Sequence, residues 1–496
     1  MDLKGLTSQF PAETTLQRSP RPYVNHSVEF KKPCTASQRT DVLSKVGLNV
    51  FFFPSELISG CDMLSDSGTT TMTNAQWAAL HLGDEAYGSN QGYYALMKEI
   101  RAIFGEAFFS SPSDGAPNAF LFHQGRAAEN ALFSFLGTTG EDLIIPSNGH
   151  FDTTRANIEA NSIIATDLFS PALHDLASTD IFKGNIDIDR LGALLKRSAK
   201  HVPVIYLTIT NNTGGGQPVS MANIRQVSAL AKRYRIPLFL DACRFAENAW
   251  FIKRFEQGYS KKGIPSIVKE MFSFADGFTI SFKKDGLSNM GGGLFLREHG
   301  SLTKQCPGIS DALTNHQILV EGNPTYGGMT GRDIMALVEG LRTVLDEQYL
   351  DHRISQVRTL AESMHKQGLP VIHPAGGHAV YLDMNRFYSG TGMQPGDFGG
   401  ISFCALLLAL YGHRACELGN FAFGSFNPET GEEAFPENNC VRFAIPRLRY
   451  ENEDLESVAE AVKGLYDRRN LIPPVDVIYG KDMPLRHFKA RFRFRG

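Results

Sequence analysis

The chain predicts an α/β fold: a mostly parallel sheet covered on both faces by helices, followed by a smaller α+β segment. Three observations carry this. Apolar runs of strand length alternate with helix-spaced segments between about residues 118 and 296. The runs are continuous rather than alternating, as in strands buried on both faces. After Gly327-Gly328 the pattern changes to long helices and scattered short strands.

Residues 1–45 are polar and rich in Pro, Ser and Thr, and read as an arm. Tyr93–Phe104 is predicted helical because Leu96, Ile100 and Ile103 recur at steps of three and four. Asn118–Phe122 reads as a strand, Arg126–Leu136 as a helix, Leu143–Ile145 as a strand and Ile188–Arg197 as an amphipathic helix. Val202–Ile209, Leu238–Leu240, Gly277–Phe282 and Gly291–Leu296 read as strands, with a helix over Ser220–Arg233. Beyond them, helices are expected over Asp333–Glu347, Ile354–Gln367, Ser402–Tyr411 and Asp454–Tyr466. Short strands are expected at Val371-Ile372, His378–Leu382 and Cys440–Ile445, and the basic tail Lys489–Arg495 alternates like a strand. The expected division is an extension and arm over 1–60, a large domain over 61–330 and a small C-terminal domain over 331–496.

At 496 residues with a formal net charge of −3, the chain carries no basic excess of the kind that draws nucleic acid or membrane surfaces. Seven cysteines, an odd count without a CxxC pair, argue for reduced thiols in a cytoplasmic location. Met1-Asp2-Leu3-Lys4 opens no apolar leader, and the longest apolar stretch, around Phe403–Leu410, is too short to span a bilayer.

Ligands of open α/β sheets bind beyond the carboxyl ends of the strands. Asp241 follows one buried run and Lys284 another. A pyridoxal phosphate enzyme needs this pair: the amine forms a Schiff base with the cofactor aldehyde, and the acid keeps the pyridine nitrogen protonated. On spacing alone, the two read equally as a strand-end acid and a surface lysine. Phe122-His123-Gln124-Gly125-Arg126 is a strand, a Gly turn and a helix start, suited to a phosphate but shared by many βα turns. Phe151 could stack on a flat ring, while Asp152 after it reads first as a helix N-cap. The loop from Asn211 to Pro218 offers amides but equally fits plain turn chemistry. Ser281 could supply a hydroxyl to the phosphate.

Taken together, these strings resemble the β-eliminating lyase family of tryptophanase and tyrosine phenol-lyase. The matching segments are Leu64-Ser65-Asp66-Ser67-Gly68-Thr69, Gly83-Asp84-Glu85-Ala86-Tyr87, His123-Gln124-Gly125-Arg126, Gly215-Gly216-Gln217-Pro218, Asp241-Ala242-Cys243-Arg244, Lys283-Lys284-Asp285, Tyr326-Gly327-Gly328, Gly376-Gly377-His378, Ile445-Pro446-Arg447 and Leu485-Arg486-His487-Phe488. They lie in the family order. The resemblance implies pyridoxal phosphate fold type I, aminotransferase-like, and a homotetramer built as a dimer of dimers. It implies Lys284 as Schiff-base lysine and α-proton base, Asp241 at the pyridine nitrogen, and Gln124, Gly125, Arg126 and Ser281 at the phosphate. Phe151 would stack on the ring, with Asn212 and Arg244 on its hydroxyl side. Arg447, helped by Ser65 and Ser67, would bind the substrate carboxylate. Tyr87 would deliver a proton to the leaving ring, within its own subunit's site or a neighbour's. Gly68, Glu85 and Asn289 would hold a potassium ion.

The leaving group is read from two positions. Phenol-releasing members place a threonine after the stacking Phe and an arginine in the small domain; this chain has Asp152 and Leu418 there. Asp152 with His487 resembles the indole-releasing arrangement, which implies elimination of L-tryptophan to indole, pyruvate and ammonia. Elimination from tyrosine or another β-substituted amino acid, the reverse β-replacement, and transamination are the alternatives. Ser65, Ala127 and the three glycines at 291–293 depart from the common family pattern.

Overall fold

The computed structural model describes residues 21–25, 27–108, 118–174 and 178–496. The central sheet has five strands: β1 (Ala119–Phe122), β4 (Ile205–Thr208), β5 (Leu238–Asp241), β6 (Gly277–Ser281) and β7 (Gly292–Leu296). Its order is β1-β7-β6-β5-β4, with β4, β5 and β6 parallel and β7 antiparallel to both its neighbours. A parallel pair, β2 (Ile144–Ser147) and β3 (Ile164–Asp167), continues the layer. The Asn148 side chain joins the two sheets: Nδ2 donates to the Thr208 carbonyl at 2.9 Å and Oδ1 accepts from the Thr208 N–H at 2.8 Å. β1 and β4 to β7 are buried along their whole length, which is why the runs carry no alternation. Helices flanking the sheet bury their apolar faces on it, as Leu96, Ile100 and Ile103 do from Gln91–Phe104.

The second sheet is antiparallel, in the order β8-β12-β9: β8 (Ala379–Asp383), β9 (Cys416–Leu418) and β12 (Cys440–Ala444). Between β9 and β12 a small hairpin forms from β10 (Ser425–Phe426) and β11 (Glu433–Ala434), and β13 (Val475–Tyr479) pairs with β14 (Arg491–Phe494) near the C-terminus.

Three expectations shift; the strand expected at Val371-Ile372 is only a single bridge from Val371 to Leu382. The helices expected over 333–347 and 354–367 begin and end elsewhere, as Gly331–Thr343 and Glu347–Lys366. The second spans two hydrophobic cores: Tyr349, Leu350 and Ile354 join the core of the large sheet, and Val357, Leu360 and Met364 join the other. The core therefore changes inside this helix, later than residue 330, because Ile334, Leu337 and Leu341 still pack on the large sheet. The N-terminal segment is also less of an arm than its composition suggests. Ala36–Lys45 is a capped helix, and Leu43, Val50, Phe53 and Ile58 are buried in the core of the smaller sheet. Residues 1–20 lie outside the described residues.

Candidate active site

The strand ends meet a cleft. Asp241 closes β5 beside Thr208 of β4 and Thr279 of β6. Lys283 and Lys284 follow β6 in a tight turn, with the Lys284 N–H donating to the Ser281 carbonyl at 3.3 Å. Asp241, Lys283 and Lys284 line this cleft together with Gln124, Gly125, Arg126, Ser281, Phe151 and Asn212. Burial, then the neighbouring Lys284 and Arg126 charges, lowers the Lys283 ammonium's pKa.

The helix Gly125–Gly137 starts at the cleft with no side-chain cap from Gln124, leaving its first N–H groups open. A Cβ on Gly125 would stand 2.6 Å from that of Ser281. The helix start and the end of β6 therefore close into a cradle that only glycine permits. Gly292 has the same cause: a side chain there would collide with the backbone of Gln124 and Gly125. Open N–H groups, a serine and two cations form a donor set that fits a phosphate dianion. A flat ring extending from it would lie beside Phe151, with Asp241 and Lys284 in reach of the same space.

Behind Asp241 sits an acid the sequence reading passed over. Glu129, one turn into the helix, accepts from Thr154 Oγ1 at 2.7 Å and from the Tyr206 hydroxyl at 3.2 Å. Tyr206 in turn hydrogen-bonds Thr279. Burial, then the Asp241 charge, pushes the Glu129 carboxyl up to about 7, against the pull of Thr154, Lys284 and Tyr206.

The opposite wall is assembled from distant segments. Asp152 opens the helix Asp152–Glu159, whose cap position is Phe151, so it is the first helical residue rather than the cap. Its Oδ2 lies 2.9 Å from His487 Nε2, both side chains at most 4 % exposed. The Phe51 ring is edge-on to His487 and Phe488, at 5.8 and 4.8 Å between centroids. Leu418, Leu64 and Cys416 complete this wall.

Two arginines exchange expected places. Arg447 does not line the cleft. It is fully buried, with Nη2 at 2.7 Å from Glu247 and 2.9 Å from Asp285, and Nη1 at 3.1 Å from Asp66. A guanidinium held by three carboxylates is committed to the protein, which corrects its assignment to the substrate carboxylate. Arg442 takes the open position. It lines the cleft, reaches Asn212 Oδ1 at 3.2 Å and the Leu64 carbonyl at 3.0 Å, and lies 5.7 Å from the Phe151 ring centre. Its Nε has no partner among the described residues. The signal was present: period 2 along β12 turns Arg442 to the face of Cys440 and Ala444, whereas Arg447 lies past the strand end.

Arg244 lines the cleft with its fork on Asp66, at 2.8 and 3.0 Å. Burial raises the Asp66 pKa, but Arg244 first, then His378 and Arg447, hold it well below the usual carboxylate range. Asn212 Oδ1 also lies 2.8 Å from the Tyr381 hydroxyl and 2.9 Å from His378 Nε2. Ser65 and Ser67 line the cleft; Gly68 and Asn289 sit beside it, with Asn289 Nδ2 donating to the Gly68 carbonyl at 3.0 Å. Tyr87 and Glu85 are outside the cleft. Tyr87 is 76 % exposed, edge-on to Tyr326, and Glu85 is on the surface, 3.2 Å from Arg332.

Residues 62–461 match the family model described as β-eliminating lyase. The chain belongs to the β-eliminating lyase family. It is 40 % identical over 473 residues to the tryptophanase of Salinibacter ruber, covering 95 % of each chain. It is 38 % identical over 472 residues to the tyrosine phenol-lyase of Symbiobacterium thermophilum, covering 95 % of this chain and 98 % of the relative. In fold the lyase resembles Sphingomonas wittichii serine palmitoyltransferase (TM-score 0.53, 12 % identity, 88 % of this chain and 97 % of that one). It also resembles Leishmania major threonine aldolase (TM-score 0.52, 13 % identity, 82 % and 99 %). The enzyme is thus a carbon–carbon lyase of pyridoxal phosphate fold type I, acting by β-elimination. Among the described residues no helix is long and apolar enough to cross a membrane.

Proposed function

We propose that this lyase cleaves L-tryptophan, with water, to indole, pyruvate and ammonia. The observation that carries the choice of leaving group is the buried Asp152–His487 pair, 2.9 Å apart, set in an apolar wall with Leu418. Asp152 offers an acceptor for the indole N–H, and His487 orients it. A phenol hydroxyl facing Leu418 would lose a hydrogen bond, costing about 1–3 kcal/mol when buried.

Bound in the cleft, pyridoxal phosphate supplies an electron sink for the carbanion formed at the substrate α-carbon. Gln124, Gly125, Arg126 and Ser281 bind its phosphate, with Lys283 nearby. Asp241 keeps its pyridine nitrogen charged, Phe151 packs on its ring, and Asn212 and Arg244 border its hydroxyl edge. Arg442 takes the substrate carboxylate as a charge-assisted pair, with Ser65 and Ser67 beside it. The Lys284 amine removes the α-proton. Leaving as indole requires a proton on ring carbon 3, and the Tyr87 hydroxyl of a neighbouring copy delivers it; its exposure in one protomer supports a site completed in a homotetramer. Gly68 and Asn289, with Glu85 of a neighbouring copy, hold a potassium ion. The scattered free cysteines support a cytoplasmic setting.

The test is a product assay in potassium buffer with tryptophan and tyrosine in parallel. Indole with stoichiometric pyruvate and ammonia is the expected result. Faster phenol release overturns the leaving-group reading, and a keto acid formed without free ammonia overturns elimination.

A further inference from the structure

The Asp152–His487 pair has a back side. His487 Nε2 faces Asp152, but its Nδ1 is buried with no partner among the described residues. Behind the ring lies a second, small cavity of about 20 Å³, room for one water. Its walls are mostly apolar, including Leu48, Phe51 and Phe492, and three polar side chains other than a thiol line it: Asn49, Glu417 and His487. Asn49 has both amide hydrogens engaged and offers only a neutral oxygen that already holds one N–H. Its Nδ2 donates to the carbonyls of His487 and Ala490 at 3.1 and 2.8 Å, and its Oδ1 accepts the Phe51 N–H at 2.9 Å.

Glu417 is not spent. It stands at the middle of β9, so its side chain points away from the face on which Cys416 and Leu418 line the cleft. Its two oxygens accept one N–H each, from Phe421 and Ala422 at 2.9 Å, and lone pairs remain. It is buried at 5 % exposure, without an ion pair among the described residues. The nearby Arg486 guanidinium goes instead to the carbonyls of Phe421, Lys481 and Asn420. A buried carboxylate without a cation is costly, and His487 is the cation-forming group that shares its cavity.

We propose that Glu417 is a positioning residue: through one water in this cavity it accepts the second ring proton of His487, so that the imidazole donates to a carboxylate on each side. The ring is then held by both nitrogens, and Asp152 stays ionised and aimed at the indole N–H. This rests on the proposed reading of Asp152 as the group that meets indole.

The experiment uses holoenzyme with histidine rings labelled with ¹⁵N, the His487 signals being assigned from the spectrum of His487→Gln. Near neutral pH both His487 nitrogens carry a proton in the unaltered enzyme. In Glu417→Gln one loses it. Cys404→Met, which fills the cavity and leaves Glu417 in place, has the same spectral effect. Glu417→Gln slows tryptophan elimination roughly tenfold, the worth of one hydrogen bond to a charged group. Elimination from S-methylcysteine, whose leaving group has no N–H to meet Asp152, stays within about twofold and shows that the fold and cofactor site survive. A singly protonated His487 ring in the unaltered enzyme, an unchanged ring in both variants, or equal loss on both substrates overturns the assignment. If the unaltered enzyme releases no indole, the proposed function fails, while the ring nitrogens still decide Glu417. If Glu417→Gln does not fold, Cys404→Met carries the test.

Discussion

The two ends of the cleft are built on different principles. The cofactor end stands on neighbouring strands of one sheet: Asp241, Ser281 and Lys284 come from the ends of β5 and β6, and the Gly125 cradle abuts β6 and β7. The leaving-group end is gathered from Phe51, Asp152, Leu418 and His487, which span the chain almost from end to end. One backbone ladder holds the first, whereas the second joins a strand of the smaller sheet to separate segments through side-chain contacts. Chemistry common to every β-elimination therefore belongs to the rigid end, and choice of leaving group to the end that can be altered without touching it.

Lys284→Ala breaks the rigid end. Turnover should fall by about ten-thousand-fold for every substrate, the upper range for loss of a catalytic acid–base, and the visible band of lysine-bound cofactor should vanish. A band that survives would mean that another amine, such as that of Lys283, serves instead.

Exchanging the two arginines separates binding from scaffolding. Arg442→Ala should raise KM for the amino acid by roughly a hundredfold, as a charge-assisted pair is lost, with the unfolding midpoint little changed. Arg447→Ala leaves Asp66, Glu247 and Asp285 without their shared cation and should cost roughly 3–5 kcal/mol of stability. Urea unfolding and steady-state kinetics on both variants check this; a pure KM effect from Arg447→Ala returns that residue to the substrate.

At the adaptable end, Asp152→Thr combined with Leu418→Arg should move the indole-to-phenol preference by roughly ten- to a hundredfold toward phenol, with elimination from S-methylcysteine nearly constant. Competition between tryptophan and tyrosine measures it. An unmoved ratio would place the choice of leaving group elsewhere in the wall.

How much of this was legible follows from the same contrast. Continuous apolar runs ending in Asp241 and Lys284 announce strand ends, and β-sheet topology brings strand ends together, so their meeting in one cleft could be read from the sequence, while their roles rested on the family resemblance. The helix over 152–159 was anticipated only through the cap reading of Asp152, one position off, and the strand over 416–418 was missed because it has three residues. Arg442 was overlooked beside the more conspicuous Ile445-Pro446-Arg447, and Glu129 because nothing local marks a helix acid as buried. Asn49 and Phe51 looked like part of an arm; only tertiary packing places them against His487.

The finest test concerns Glu129, which touches the rigid end from behind. Burial and Asp241 raise its carboxyl to about 7 in the folded apoprotein, whereas an unfolded glutamate titrates near 4.5. The fold therefore holds this proton more tightly than the unfolded chain does. Its contribution is fully present below about 4.5 and is lost as pH rises through about 7, up to about 3 kcal/mol for a shift of this size. Asp285, raised to about 7 by burial and by Glu247, titrates in the same window and adds to the slope. Glu129→Gln in the apoprotein should thus flatten the fall of Tm across this range without abolishing it. In the proposed arrangement a cationic pyridine held by Asp241 would relieve the repulsion on Glu129, so the same substitution should matter less in the holoenzyme. Thermal unfolding of both forms from pH 5 to 8 measures the difference. Equal slopes with and without Glu129 would show that Asp241 and Glu129 do not share an electrostatic field, and that the cofactor end depends less on the helix behind it than on the strands beneath.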